Sequence, residues 1–212
     1  MGSVDEKTTV SDYYDEEKEH QHSILASVVH ATFNGKLINV IDAPGSPDFV
    51  GPAIAAMPAA ETAIIVVNAA SGIETNTRKL FALASDLGKP RMIVINKIAA
   101  ENVDMPELIK NIQETFGSQC RCANLPAADK KSVIDCIENS TGDSPVMSVA
   151  DAHTQLIESV VEADDALMER YLGGEEIPAP EIAAAFVKAL RIGKLIPIVF
   201  TEARQEIGDR KS

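Results

Sequence analysis

The chain has 212 residues, enough for one large domain or for a domain carrying a sizeable insertion. Its 45% hydrophobic and 24% charged residues are ordinary for a globular protein, and no run approaches the ~18 apolar residues of a membrane span. A formal net charge of −13 is the opposite of the basic face that a duplex-binding domain presents, which argues against direct nucleic-acid recognition.

Residues 1–22 read as a polar, acidic segment, too hydrophilic for a core element and lacking the apolar stretch of a secretory signal. Ile24 to Phe33 then reads as a strand. Asn34-Gly35 is a strong two-residue hairpin signal, and Lys36 to Ile41 is the returning strand. Ala63 to Val67 and Arg91 to Ile95 are short β-branched runs of the kind buried on both faces of a parallel sheet. Between and after them the spacing predicts helices over Glu74 to Leu87 and Pro106 to Phe116, ending at Gly88 and Gly117. Alternation of this kind implies an α/β layered domain.

From Ser118 the pattern changes. Cys120 to Leu125 and Ser132 to Ile137 read as short strands, followed by one long acidic helix from about Ala152 to Leu172 that stops at Gly173-Gly174. Its apolar stripe runs through Leu156, Ile157, Val160, Val161, Leu167, Met168, Tyr171 and Leu172. Glu181 to Ile192 is a further helix and Leu195 to Phe200 a last buried strand. Cys120, Cys122 and Cys136 are an odd set without a secretory signal, which points to a reducing cytoplasm and to buried core thiols rather than a metal site. His20, His22 and His30 read as solvated.

Two constellations carry chemistry. A strand read as buried ends in Asp42-Ala-Pro-Gly45. In nucleotide-triphosphate switches a strand-end carboxylate holds a water of the Mg²⁺ shell, and the glycine lets a backbone N–H approach the γ-phosphate. An ordinary Asp-x-Pro-Gly turn is the other reading. Further on, the strand Met92 to Ile95 leads into Asn96-Lys97. In guanine-nucleotide proteins such an asparagine ties loops together and contacts the base edge, while the lysine stem lies against the base plane. The two motifs at this separation favour the nucleotide reading over either alone.

Here the chain resembles the GTPase region of elongation factor G-like translation factors. SDYYDEEKEHQHSI is similar to the first switch region and LINVIDAPGSPDFVG to the second. HTQLIESVVEADDALMERYLGGEEIPAPEI resembles the segment joining the G′ insertion back to the core, and IPIVFTEA the final strand and its loop. The resemblance is colinear from about Val10 to Ala203, and S-P-D-F-V-G is closer to the divergent paralogues than to the main factor.

The resemblance implies a P-loop GTPase-like three-layer α/β sheet missing its first strand. The G-domain core would span 1–117 and 190–212, with an α+β G′ insertion over 118–189. It implies GTP or GDP with Mg²⁺ in the parent protein, a cytoplasmic setting, the ribosome as partner and the ribosomal stalk protein as a further one. Position by position, Ser23 falls on the switch hydroxyl that ligates Mg²⁺, joined at the metal by Asp42. Gly45 meets the γ-phosphate; Asn96 and Lys97 meet the base.

Four departures are visible. The chain contains no G-x-x-x-x-G-K-[ST], so the phosphate loop is expected before residue 1 and this piece is expected to hold no nucleotide tightly and to be inactive alone. Ser46 stands where the family has the histidine that orients the attacking water. N-K-x-D becomes Asn96-Lys97-Ile98-Ala99, which removes the carboxylate that accepts two hydrogen bonds from guanine. The usual G-S-A is Thr201-Glu202-Ala203, where Glu202 reads as a solvent-facing loop residue, with replacement of the missing carboxylate as the alternative. The competing functional reading is a non-catalytic ribosome- or protein-binding module with a vestigial nucleotide site. Sheet left uncovered by the lost strand is expected to promote self-association.

Overall fold

The computed structural model describes residues 6–208. Residues 1–5 of the polar segment and 209–212 at the other end lie outside the described residues. The chain divides into two units, Met1–Glu61 and Thr62–Ser212.

In the first unit the polar segment is not without structure. It forms a six-residue helix, α1 (Asp15–His20), closed by Gln21 in the left-handed conformation. A two-stranded antiparallel ribbon follows, β1 (Ser27–Phe33) and β2 (Lys36–Asp42), paired from Phe33 with Lys36 to Ser27 with Asp42. Asn34 and Gly35 both have positive φ, 49° and 72°, as a tight hairpin turn matched to the strand twist requires. A short 3₁₀ turn (Pro47–Phe49) leads into α2 (Val50–Ala56). The expectation of a buried strand ending in Asp42 fails here. Leu37, Ile38 and Val40 of β2 and Val28 of β1 are exposed, because a lone two-stranded ribbon has no third strand and little packed face to bury.

The second unit is built on a four-stranded sheet in the order β3 (Ala63–Asn68), β4 (Arg91–Asn96), β8 (Ile196–Phe200), β5 (Cys120–Cys122), all neighbours parallel. Helices α3 (Thr75–Asp86) and α4 (Met105–Phe116) sit in the crossovers, α4 with Asp104 as N-cap accepting the Glu107 N–H at 3.0 Å and Pro106 in its first turn. Ile65, Val67, Ile93, Ile95, Ile196, Ile198 and Phe200 supply the sheet side of one core, met by Phe81 and Phe116, whose rings stack at 4.0 Å. β3 departs from the expected two-faced burial. It is an edge strand that alternates, with Ile64 and Val66 55% and 61% exposed.

The run expected as one strand over Cys120 to Leu125 is two. β5 joins β8 in the central sheet, Ala123 turns the chain, and β6 (Asn124–Pro126) pairs antiparallel with β7 (Val133–Asp135). The boundary drawn at 117/118 therefore assigns to the insertion a strand that the central sheet contains. The expected single acidic helix is also two, α5 (Val149–Val161) and α6 (Asp165–Leu172). Asp164 breaks it: its carboxylate caps the new helix by accepting the Ala166 and Leu167 N–H groups. The apolar stripe is buried only along α5, at Leu156, Ile157, Val160 and Val161, and Leu172 is exposed. Finally α7 (Ala179–Arg191) packs on α5 and returns the chain to β8. The three cysteines are buried thiols, each pushed up to about 12 by burial.

Candidate functional site

At the carboxyl ends of β4 and β8 the parallel sheet delivers two loops to one place. Asn96 is the last residue of β4, and its side-chain oxygen accepts three hydrogen bonds. The donors are the Lys97 N–H at 2.8 Å, the Thr201 hydroxyl at 3.3 Å and the Ala203 N–H at 3.1 Å. One amide side chain thus ties the loop after β4 to the loop after β8. With three donors on its oxygen, its Nδ2 group is oriented the opposite way, as a donor. Lys97 is exposed and held at φ 63°, a left-handed conformation unusual for a residue with a side chain.

A second bridge runs between the same loops. Glu202 is 6% exposed, and its Oε2 accepts the Ala99 N–H at 3.1 Å. The expectation of a solvent-facing glutamate is overturned. The residue is drawn in because its backbone exchanges both hydrogen bonds with Ile207, a buried residue at 7% exposure, which turns the side chain under the loop. Asn96, Lys97, Thr201, Glu202 and Ala203 therefore share one locus in the second unit, together with the backbone of Ala99.

The remaining candidates lie in the first unit. Asp42 is exposed at the end of β2. Gly45 needs no left-handed φ, and a Cβ added there would meet nothing within 4 Å, so packing in this structure does not demand glycine. Ser46 precedes the 3₁₀ turn and accepts the Phe49 N–H through its backbone oxygen, with no capping bond from its hydroxyl. Ser23 does not turn to Asp42: its hydroxyl donates to Asp12 Oδ1 at 3.0 Å, and the other Asp12 oxygen accepts the Thr9 hydroxyl. Neither Asp12 nor Glu17 stood out in the sequence. Glu17 is 1% exposed, and its carboxylate receives the backbone N–H groups of Tyr13, Tyr14, Ile24 and Leu25 at 2.8–3.1 Å. Burial alone pushes this carboxyl up, but the four N–H donors outweigh it and hold it at about 2. A glutamate three residues into a short helix is a weak capping signal, and nothing local announced the reach to Ile24. His20 and His22 are exposed, with the His22 ring stacked on Phe49 at 5.9 Å.

A parallel sheet whose strand ends carry such an asparagine-centred clasp defines a class, and comparison with known proteins shows which. The chain belongs to the elongation factor Tu GTP binding domain family, whose model matches residues 1–208. Two of its relatives carry the name elongation factor G-like protein. The one from Mycobacterium tuberculosis (strain CDC 1551 / Oshkosh) is 31% identical over 211 residues, covering 93% of this chain and 30% of the relative. The one from Thermotoga maritima is 27% identical over 221 residues, covering 98% and 32%. A crystal structure of a Thermus thermophilus protein superposes with a TM-score of 0.86 at 31% identity, covering 98% of this chain and 34% of that one. The chain spans about a third of the length of the relatives it matches. The α/β architecture with a parallel central sheet is that of a P-loop GTPase-like domain.

Proposed function

We propose that this chain is the base-reading part of an elongation factor G-like translational GTPase, with GTP or GDP as ligand and the ribosome as the site of action. The observation that carries this is the Asn96 clasp. A single amide orients both loops at the end of a parallel sheet and leaves its own N–H groups free of that task, the arrangement suited to holding one edge of a purine.

The base side fits the nucleotide: donors from Asn96, the Lys97 stem, and a carboxylate from Glu202. The metal side fits less well as it stands. Ser23 and Asp42 would hold Mg²⁺, which would neutralise phosphate charge, but the Ser23 hydroxyl is engaged by Asp12 and must leave it to reach a metal. Asp42 and Gly45 are proposed to sense the γ-phosphate, and Ser46 to take the place beside the attacking water, where it offers only a short hydroxyl. With the Ser23 hydroxyl held by Asp12, the base contacts carry most of the affinity, and binding by this chain should be no tighter than millimolar.

The test is a titration of ¹⁵N-labelled chain with GDP and Mg²⁺. The amides of residues 96–99 and 201–203 should shift together at millimolar nucleotide. Shifts confined to other regions, or none, would sink the reading. The second reading, a nucleotide-silent module kept for ribosome or stalk-protein contact, draws support from the Ser23–Asp12 bond, and it expects silence in that titration alongside cosedimentation with ribosomes.

A further inference from the structure

Resting on the nucleotide reading above, we propose that Glu202 is the base-selecting residue of this chain, presenting its carboxylate at the position of Ala99 and choosing a purine that offers two adjacent N–H donors, which is guanine.

The Glu202 N–H donates to the Ile207 carbonyl at 3.0 Å, and the Glu202 carbonyl accepts the N–H groups of Ile207 at 3.2 Å and Gln205 at 3.0 Å. On either side, Thr201 and Ala203 are tied to the Asn96 side chain at 3.3 and 3.1 Å. The residue's backbone is therefore fixed from three directions, and its side chain reaches back across the loops to Ala99. Residue 99 itself supplies only a methyl group. Any acceptor at that point of the clasp must come from elsewhere, and the structure brings one from 103 residues along the chain.

A structural cap does not account for the carboxylate. Holding one backbone N–H takes one acceptor, which a neutral glutamine supplies as well. A carboxylate has two oxygens and about four acceptor positions, of which a single N–H fills one. Among the described residues the one buried side-chain nitrogen or oxygen without a partner is Arg91 Nε, so the rest of the Glu202 carboxylate is not sealed in without a partner. Its Oε2 lies on the backbone of exposed Ala99, two residues from exposed Lys97, and the flanking residues Thr201 and Ala203 are tied to the Asn96 side chain. A ring that offers acceptors along one edge and neighbouring N–H donors along another satisfies both groups. Guanine does so, with N7 and O6 on one edge and N1–H and the 2-amino group on the other. Adenine places an acceptor, N1, where the carboxylate needs a donor.

Glutamine at 202 keeps an oxygen for the Ala99 N–H and turns the ligand-facing atom into a donor. Glu202→Gln should therefore lose guanine and gain xanthine, in which a carbonyl replaces the 2-amino group. The probes are guanosine, xanthosine and adenosine diphosphates with Mg²⁺, read by the ¹⁵N shifts of Ala99 and Ala203. Loss of one charge-assisted hydrogen bond corresponds to roughly a tenfold to hundredfold weaker response to GDP. Adding Ala99→Asp to Glu202→Gln should bring the guanine order back. In the unaltered chain, the ¹³C resonance of the Glu202 carboxyl should move with GDP and stay with the adenosine nucleotide, a readout independent of any variant folding. If GDP shifts the 96–99 and 201–203 amides but the Glu202 carboxyl does not move, or the variant keeps the same base order, this assignment is wrong and the nucleotide reading survives. If no nucleotide moves those amides, both fail.

Discussion

Single polar atoms organise this molecule at points its hydrophobic pattern does not reach. The Asn96 side-chain oxygen gathers three donors from two loops. Asn96→Ala leaves all three to find water or go unmatched, so the variant should lose roughly 1–3 kcal/mol in denaturant unfolding, with the largest shifts in the 201–207 loop. Glu17 plays a comparable part in the first unit, gathering four N–H groups, two from just before α1 and two from the chain that follows it. Its carboxyl lies at about 2 in the folded chain against an ordinary 4.5, so its contribution is complete above 4.5 and fades as the pH falls from there to about 2. The protection of the Ile24 and Leu25 amides against hydrogen exchange, relative to the intrinsic rate at each pH, should fall across that interval and stay level between pH 5 and 8. In Glu17→Gln the interval should vanish.

Helices and strands show where the sequence was readable and where it was not. β3, β4, α3, α4 and β8 lay within one or two residues of expectation, because each has a steady apolar period closed by a clear stop. The stop signals themselves are testable: Asp104→Ala, which removes the α4 cap, should cost about 1 kcal/mol in a thermal melt and leave the sheet intact. What the period concealed were changes of partner. Ala123 moves the chain from one sheet to another without a glycine or proline to mark it, and Asp164 opens a new helix inside a continuous acidic-apolar pattern. The candidate site was half legible for the same reason. Asn96-Lys97 is a local signature, whereas the pairing of Ala99 with Glu202 joins residues 103 positions apart and depends on the parallel register of β4 with β8. No local pattern encodes that. Asp12, which claims the Ser23 hydroxyl, is likewise a contact across eleven residues of irregular chain.

For the molecule as a whole, we propose that the exposed face of β3 governs association in solution. Ile64 and Val66 stand out from an edge strand, a combination that favours pairing with another strand edge. Sedimentation should show concentration-dependent association, and the pair Ile64→Thr with Val66→Thr should lower it without shifting the melting temperature downward by more than a few degrees. A monomer at all concentrations would remove the idea. The three buried thiols lend the chain a different property, an internal clock. At about 12, none of them is nucleophilic at neutral pH while the sheet is closed, since it is the thiolate that reacts. A thiol reagent in excess therefore waits for the sheet to open. The rate at which Cys120 and Cys122 take up label reports how often β5 parts from β8, and a nucleotide that tightens the β4 and β8 loops should slow the ticking.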